Sequence, residues 1–314
     1  MKFFTDYLNS GTVKQQNKKR FAALLVGLTA ILLAIALVVL IVASIATAIA
    51  DKAPKDDDGD DTGTKIPQGY TTTTLEAAQL TSGDLLLIDD THPFAGTTPT
   101  TVLFDGHETR PKTDAGTIIY SIGGRFDLSA TDETVRAFNK MISDFYADEK
   151  NGKDDNLYIS AAYNINSANQ AGEMFKLGTV IGLKYYVNYN EDATNIQSIY
   201  NVEKYKWIYD NAAKYGFVRA SALEGEEHIF RYVGVAHATY MDNNDKTLAE
   251  YLEILKSRSA SKPLSVTVDN ASYNMYYSAT AEAVVPTKYS YTVSGDNMNG
   301  YIITVDKTSA TSAQ

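Results

Sequence analysis

Cysteine is absent from the chain, which excludes a disulfide framework, a thiol nucleophile and a thiolate metal site, while leaving the compartment open. Histidine occurs four times and tryptophan once. Basic residues are outnumbered, 28 Lys and Arg against 38 Asp and Glu, and the net charge of -10 argues against a nucleic-acid partner. Charge of either sign is missing altogether from Phe21 to Ala50, where Leu, Ile, Val and Ala dominate. An α-helix needs about 20 apolar residues to cross a bilayer, so this run is long enough to span one. Ala46-Thr47-Ala48 resembles a small-residue cleavage site, but a signal peptide has a shorter apolar core of about 7–15 residues, and the run is expected to be an uncleaved anchor. Lys14, Lys18, Lys19 and Arg20 flank its N-terminal end, which places that end in the cytoplasm and the rest of the chain outside the cell membrane.

What the chain does contain is enough for one sizeable folded body: 314 residues, 44% of them hydrophobic. The expected organisation is a cytoplasmic tail at 1–20, a single span at 21–50, an acidic linker at 51–69, a mixed domain at 70–258 and a β-strand appendage with a polar tail at 259–314. The aspartates between Asp56 and Asp61 lack the alternation and closing glutamate of a calcium loop and read as a solvated spacer. Leu85 to Ile88 is a short apolar run after Gly83-Asp84, the pattern of a buried strand. Thr131 or Ser129 can cap a helix carrying Val135, Phe138, Met141, Ile142 and Phe145 at helical spacing. Leu157–Ile159 begins a strand leading to Ser160 and Tyr163. Ser167 and Gln170 make a capping pair, and Leu183, Tyr185 and Val187 alternate with Lys184, Tyr186 and Asn188 as a strand. Val202, Tyr205, Ile208, Tyr209 and Ala212 form a stripe closed by Gly216. Trp207 is expected to pack rather than line a groove. Thr247 and Glu250 form another capping box before Leu248, Tyr251, Leu252 and Leu255. After Pro263 the pattern becomes alternating, with LeuSerValThrVal, TyrAsnMetTyrTyr, TyrSerTyrThrVal and TyrIleIleThrVal as strands.

The stretch most informative about chemistry is GluGluHisIlePheArgTyrValGly, Glu226–Gly234, preceded by a helix ending in TyrGlyPhe at Tyr215–Phe217. With AspAspThrHisPro at 89–93 and Ser160, Tyr163 and Gln170 in order, it resembles the VanY-type zinc D-alanyl-D-alanine carboxypeptidases from about Asp84 to Leu255. The resemblance implies an α+β domain with a mixed or antiparallel sheet and outer helices. It also implies a general base at Glu226 and substrate contacts at Ser160, Tyr163, Gln170 and Arg231. Gln170 serves equally well as a cap alone.

The same resemblance places the three zinc ligands at Thr179, Tyr186 and Ile229, and the substrate-holding arginine at Asn164. None of these can do the family's work, because zinc sites use imidazole, thiolate or carboxylate, and an amide cannot supply bidentate charge pairing. His228 is one residue out of step with Ile229, and only a local bulge would return its imidazole to the required face. His228 and His237 with Glu226 and Glu227 could build a different metal site, against the plainer reading of surface or connector residues. His92 and His107 read as turn and loop residues. Two functions are therefore expected to compete. One is a catalytically degenerate relative that needs no cofactor and binds a peptidoglycan peptide or a surface protein. The other is an active D,D-carboxypeptidase using zinc to trim terminal D-alanine from stem peptides. A purely structural surface protein is the third reading.

Overall fold

Register and phase of the strands fix where every candidate side chain points. The computed structural model describes residues 66–112, 116, 120–122, 127–148, 151, 156–164, 166, 173–188, 192–220 and 227–310. The anchor at 21–50, the tail before it, the linker up to residue 65, the Ser167/Gln170 pair and Glu226 lie outside the described residues. No helix among the described residues is long and apolar enough to cross a membrane.

The central sheet has six strands. In spatial order these are β3 (Ser121–Ile122), β5 (Leu157–Ala161), β6 (Val180–Asn188), β9 (Ile229–Tyr232) and β8 (Phe217–Arg219), while β7 (Asp192–Ser198) pairs with the far half of β6. Only β3 and β5 run parallel, so the sheet is mixed, as the α+β expectation allows. Helix α1 (Asp132–Ala147) covers one face. It starts at Thr131, whose side chain accepts the Thr134 N–H, and Asp132 and Glu133 in its first turn complement the helix dipole. Its stripe of Val135, Phe138, Met141, Ile142 and Phe145 packs on Ile159, Ile181, Leu183 and Phe230. A 3-10 turn at Glu203–Tyr205, helix α2 (Lys206–Asn211) and a second 3-10 turn at Ala212–Tyr215 carry the next stripe. Trp207 packs in that core, 5.7 Å from the Phe145 ring. Gly216 ends the segment with φ of +85°, a backbone geometry that glycine adopts without strain, and an added Cβ would lie 2.6 Å from the Tyr232 ring.

Helices α3 (Val235–Asn243) and α4 (Leu248–Lys256) follow, the latter opened by the Thr247/Glu250 capping box. Both pack against a four-stranded antiparallel sheet in the order β10 (Leu264–Val268), β11 (Ala271–Ser278), β14 (Tyr301–Ala310) and β13 (Tyr289–Gly295). Ala236, Met241, Tyr251 and Leu252 share one buried cluster with Leu264, Met275 and Ile302, so this sheet is a layer of the same packed body. The N-terminal strand β1 (Tyr70–Thr74) pairs with β12 (Glu282–Pro286), tying residues at 70 to residues at 286. A small pair, β2 (Val102–Leu103) and β4 (Ser129–Ala130), completes the strands among the described residues.

The segment Leu85–Ile88 departs from its expectation. It is buried, with Leu85, Leu86 and Ile88 all in hydrophobic clusters, but it belongs to no strand. Its polar groups are met from elsewhere: Leu87 N–H donates to Asp296 O, and the carbonyls of Asp84 and Leu86 accept from Arg231. An apolar run signals burial, and here side chains replace the ladder partners.

Candidate functional site

The face of the central sheet away from α1 carries Val180, Gly182, Lys184 and Tyr186 of β6 and Ile229 and Arg231 of β9. Gly182 stands opposite Ile229. Strand β5 bulges at Ser160, and an added Cβ on Gly182 would lie 2.9 Å from Ser160 Oγ, so the serine occupies the space above that glycine. Tyr163 leaves the strand half-buried, its N–H bonded to Ser129 O at 3.0 Å. Asn164 is exposed and accepts the Asn166 N–H at 3.0 Å, a local turn rather than a ligand clamp.

The three positions matched to zinc ligands have these surroundings. Ile229 is 3% exposed and packs with Leu86, Ile88, Leu177 and Val180, with Phe94, Met174 and Phe175 against them. Thr179 is 2% exposed, and its Oγ1 has no hydrogen-bond partner among the described residues. Tyr186 lays its ring against Tyr158 at 5.1 Å. The β6–β9 register continues without a bulge, and Leu183 N–H donates to His228 O, so His228 stays in phase with Phe230 on the opposite face from Ile229. A hydroxyl, a phenol and an aliphatic side chain do not fit zinc. Among the described residues no group of three His, Asp or Glu side chains gathers.

The other histidines are accounted for in the same way. His92 bonds Asp89 and Thr91, and His107 bonds Thr109 and Asp132. His237 sits between the Tyr251 hydroxyl and Thr304 Oγ1, each at 2.7 Å, and burial lowers it to about 3, so it stays a neutral bridge between α3 and the C-terminal sheet. His237 is thus structural, not a partner of His228.

Arg231, matched to a substrate contact, is 4% exposed, and its Nη2 donates to Asp84 O at 2.7 Å and Leu86 O at 2.8 Å. It fastens the Asp84–Ile88 segment over the sheet. Close by, the Asp84 carboxyl is pushed up to about 7 by burial first and by Glu133 second, with Arg231 pulling the other way. Glu133 itself accepts the Tyr232 hydroxyl at 2.8 Å.

Two features escaped sequence reading. The β13–β14 loop clamps the same segment: Asn297 Nδ2 donates to Leu87 O and Pro93 O, both at 3.0 Å. The buried Asp296 holds that loop by accepting the N–H groups of Met298, Asn299 and Gly300 and the Tyr277 hydroxyl. SerGlyAspAsnMetAsnGly announces a turn but not what the turn holds. The second feature is a cavity of about 1000 Å³ running along β8, walled by Leu87, Ile88, Tyr200, Tyr209, Arg219 and Met241 among others.

No family model matches the chain. Over 111 residues it is 36% identical to a D-alanyl-D-alanine carboxypeptidase of Enterococcus faecium, a stretch covering 32% of this chain and 36% of that protein. The chain therefore spans about a third of the length of the curated relative it matches. The solved structure of the vancomycin-resistance D,D-dipeptidase VanXYg, in complex with a D-Ala-D-Ala phosphinate analog, superposes with a TM-score of 0.56 at 17% identity. That superposition covers 76% of this chain and 99% of that one, which establishes the fold. In fold the chain is similar to that D,D-dipeptidase, and over the matched stretch its sequence is similar to the Enterococcus faecium D-alanyl-D-alanine carboxypeptidase.

Proposed function

We propose that the chain is a membrane-anchored extracellular protein that keeps the carboxypeptidase scaffold without its hydrolysis, and binds a cell-wall peptide or a surface protein. The observation that carries this reading is Ile229, the position matched to a zinc-ligating histidine, buried in an aliphatic cluster with Leu86, Ile88, Leu177 and Val180. A metallopeptidase needs its metal to activate water at neutral pH, and Thr179, Tyr186 and Ile229 offer no replacement ligand set. Glu226, matched to the general base, then has no activated water to serve. Anchoring rests on the uncharged run Phe21–Ala50 and the basic residues before it.

A second reading, an active D,D-carboxypeptidase acting on peptidoglycan stem peptides, is favoured by the identity to the Enterococcus faecium carboxypeptidase. The two separate in one preparation. Full-length chain purified without a histidine tag is analysed for zinc by elemental mass spectrometry and assayed for D-alanine release from a pentapeptide stem. The degenerate reading expects no bound zinc and no release. About one zinc per chain, as a catalytic site holds, with release abolished by Glu226→Gln, would establish the enzyme instead. Resistance of the chain to alkaline extraction from membranes tests the anchor.

A further inference from the structure

The end strand of the central sheet leaves two residues' worth of backbone unpaired among the described residues. Val233 N–H donates to Gly216 O, and Ala220 N–H donates to Ile229 O. These bonds fix the phase of the β8–β9 ladder: Gly216, Val218 and Ala220 turn their backbone groups toward β9, so Phe217 and Arg219 turn theirs away. Among the described residues no strand lies on that outer side, and no hydrogen bond fills the outward groups of Phe217 and Arg219. The cavity of about 1000 Å³ lies along this strand, with Phe217, Val218, Arg219 and Ala220 all in its wall.

The wall of the cavity differs on the two sides of the strand. On one side of the strand stand Tyr209 and Phe230, with ring centroids 5.1 Å apart, and Tyr200 packs on Tyr209 at 5.8 Å. On the other, Val218 shares a cluster with Ala213, Met241 and Leu87. Arg219 is exposed, its guanidinium 5.9 Å from the Tyr200 ring centroid, and it makes no ion pair among the described residues, while elsewhere the wall carries Asp89, Glu203, Asp242 and Asp245 with Lys206 and Lys246. A cation held against an aromatic face, beside free strand donors and acceptors, is a site for a carboxylate carried on extended backbone.

We infer that the open edge of β8 docks an extended, largely apolar peptide segment of a protein partner, which adds a strand to the sheet through Phe217 and Arg219 and places a single carboxylate on the Arg219 guanidinium. Main-chain bonds supply the affinity and the two differing walls supply selection, as in strand addition generally. The inference names a partner for the binding reading and rests on it only in that sense. Nothing in it requires the zinc positions, and zinc content and D-alanine release are read in separate measurements.

The test uses the full chain and an array of fluorescent apolar heptapeptides that each carry one glutamate, moved along the sequence. The expected result is saturable binding of a subset, lost when the bound peptide is N-methylated at alternate residues. Arg219→Glu, at an exposed position that leaves the core intact, should weaken binding about tenfold, since both an exposed ion pair and its reversal act there. Amide exchange should slow at Phe217 and Arg219 on peptide addition while Val218, already bonded to β9, stays unchanged. Absence of binding across the array, undiminished binding of the N-methylated peptide, or protection confined to other strands would each overturn the inference. Muropeptide binding that leaves Phe217 and Arg219 unprotected, with no heptapeptide of the array bound, would overturn it while leaving the wall-peptide reading standing.

Discussion

Replacing Arg231 by methionine tests what that residue is for. The guanidinium donates to two backbone carbonyls in the Asp84–Leu86 segment, one fully buried at Leu86 and one half-buried at Asp84. A hydrogen bond from a charged donor is worth about 1.5–3 kcal/mol, and a buried acceptor left unmet costs about as much. The Leu86 carbonyl lies where water has little access, so its loss should count in full, whereas water can partly replace the bond at Asp84. The sum is about 3–4 kcal/mol, in line with the roughly 3–5 kcal/mol seen when one partner of a buried charge arrangement is removed. Methionine fills much of the same volume, so little of this should come from packing. Urea unfolding of the full chain, followed by the fluorescence of Trp207 in the main core, measures it. Arg231→Lys should fall between, since one ammonium reaches fewer of the two acceptors in that fixed geometry. If Arg231 served instead to hold a ligand's carboxylate, Arg231→Met would leave the unfolding midpoint within about 1 kcal/mol of wild type and affect binding alone, and the anchoring argument would be refuted.

The buried groups Asp84 and His237 should give opposed pH dependences. His237 is neutral in the fold, lowered to about 3 by burial, so the unfolded chain takes up the proton first and stability falls as pH drops from about 6.5. Asp84 is raised to about 7, so the folded chain binds the proton first and stability rises as pH drops from about 7 toward 4. Melting temperatures at pH 7 and pH 5 should therefore show Asp84→Asn losing more on acidification than wild type, and His237→Gln gaining relative to it. Gly216→Ala should cost about 1–3 kcal/mol, because alanine is strained at φ of +85° and its Cβ meets the Tyr232 ring; an unchanged denaturation midpoint would contradict this. Asp296→Ala leaves the N–H groups of Met298, Asn299 and Gly300 without their side-chain acceptor, while the Tyr277 hydroxyl keeps Asn299 Oδ1, and should cost about 3 kcal/mol. Faster amide exchange in the Leu87–Pro93 turn should accompany that loss. Ile229→Ala should cost about 2–5 kcal/mol in the same unfolding assay, as a buried cavity does.

Local features were legible in the sequence where a single segment decides them. The Thr131 cap and its apolar stripe, the Thr247/Glu250 box and the glycine at 216 each need only neighbours within a few turns, and each appears where expected. The alternating strands after Pro263 are of the same kind. Leu85–Ile88 shows where that reasoning stops. Its apolar character does report burial, yet whether a buried segment joins a ladder depends on what satisfies its carbonyls, and here that is a guanidinium 145 residues away in sequence at Leu86.

The candidate site divides along the same line. That Thr179, Tyr186 and Ile229 cannot ligate zinc follows from residue type alone. What surrounds Ile229 does not, because Leu86, Leu177 and Val180 reach it from two other parts of the chain. Arg231 reverses the lesson: its type suits a ligand's carboxylate, but its burial and its two carbonyl partners give it to the scaffold. Arg219 stands twelve positions earlier on the neighbouring strand and is exposed, stacked near Tyr200 and without an ion-pair partner among the described residues. No periodicity distinguishes these two arginines. The strand order does, because among the described residues it places β9 inside the sheet and β8 at its edge, the position from which strand addition is proposed.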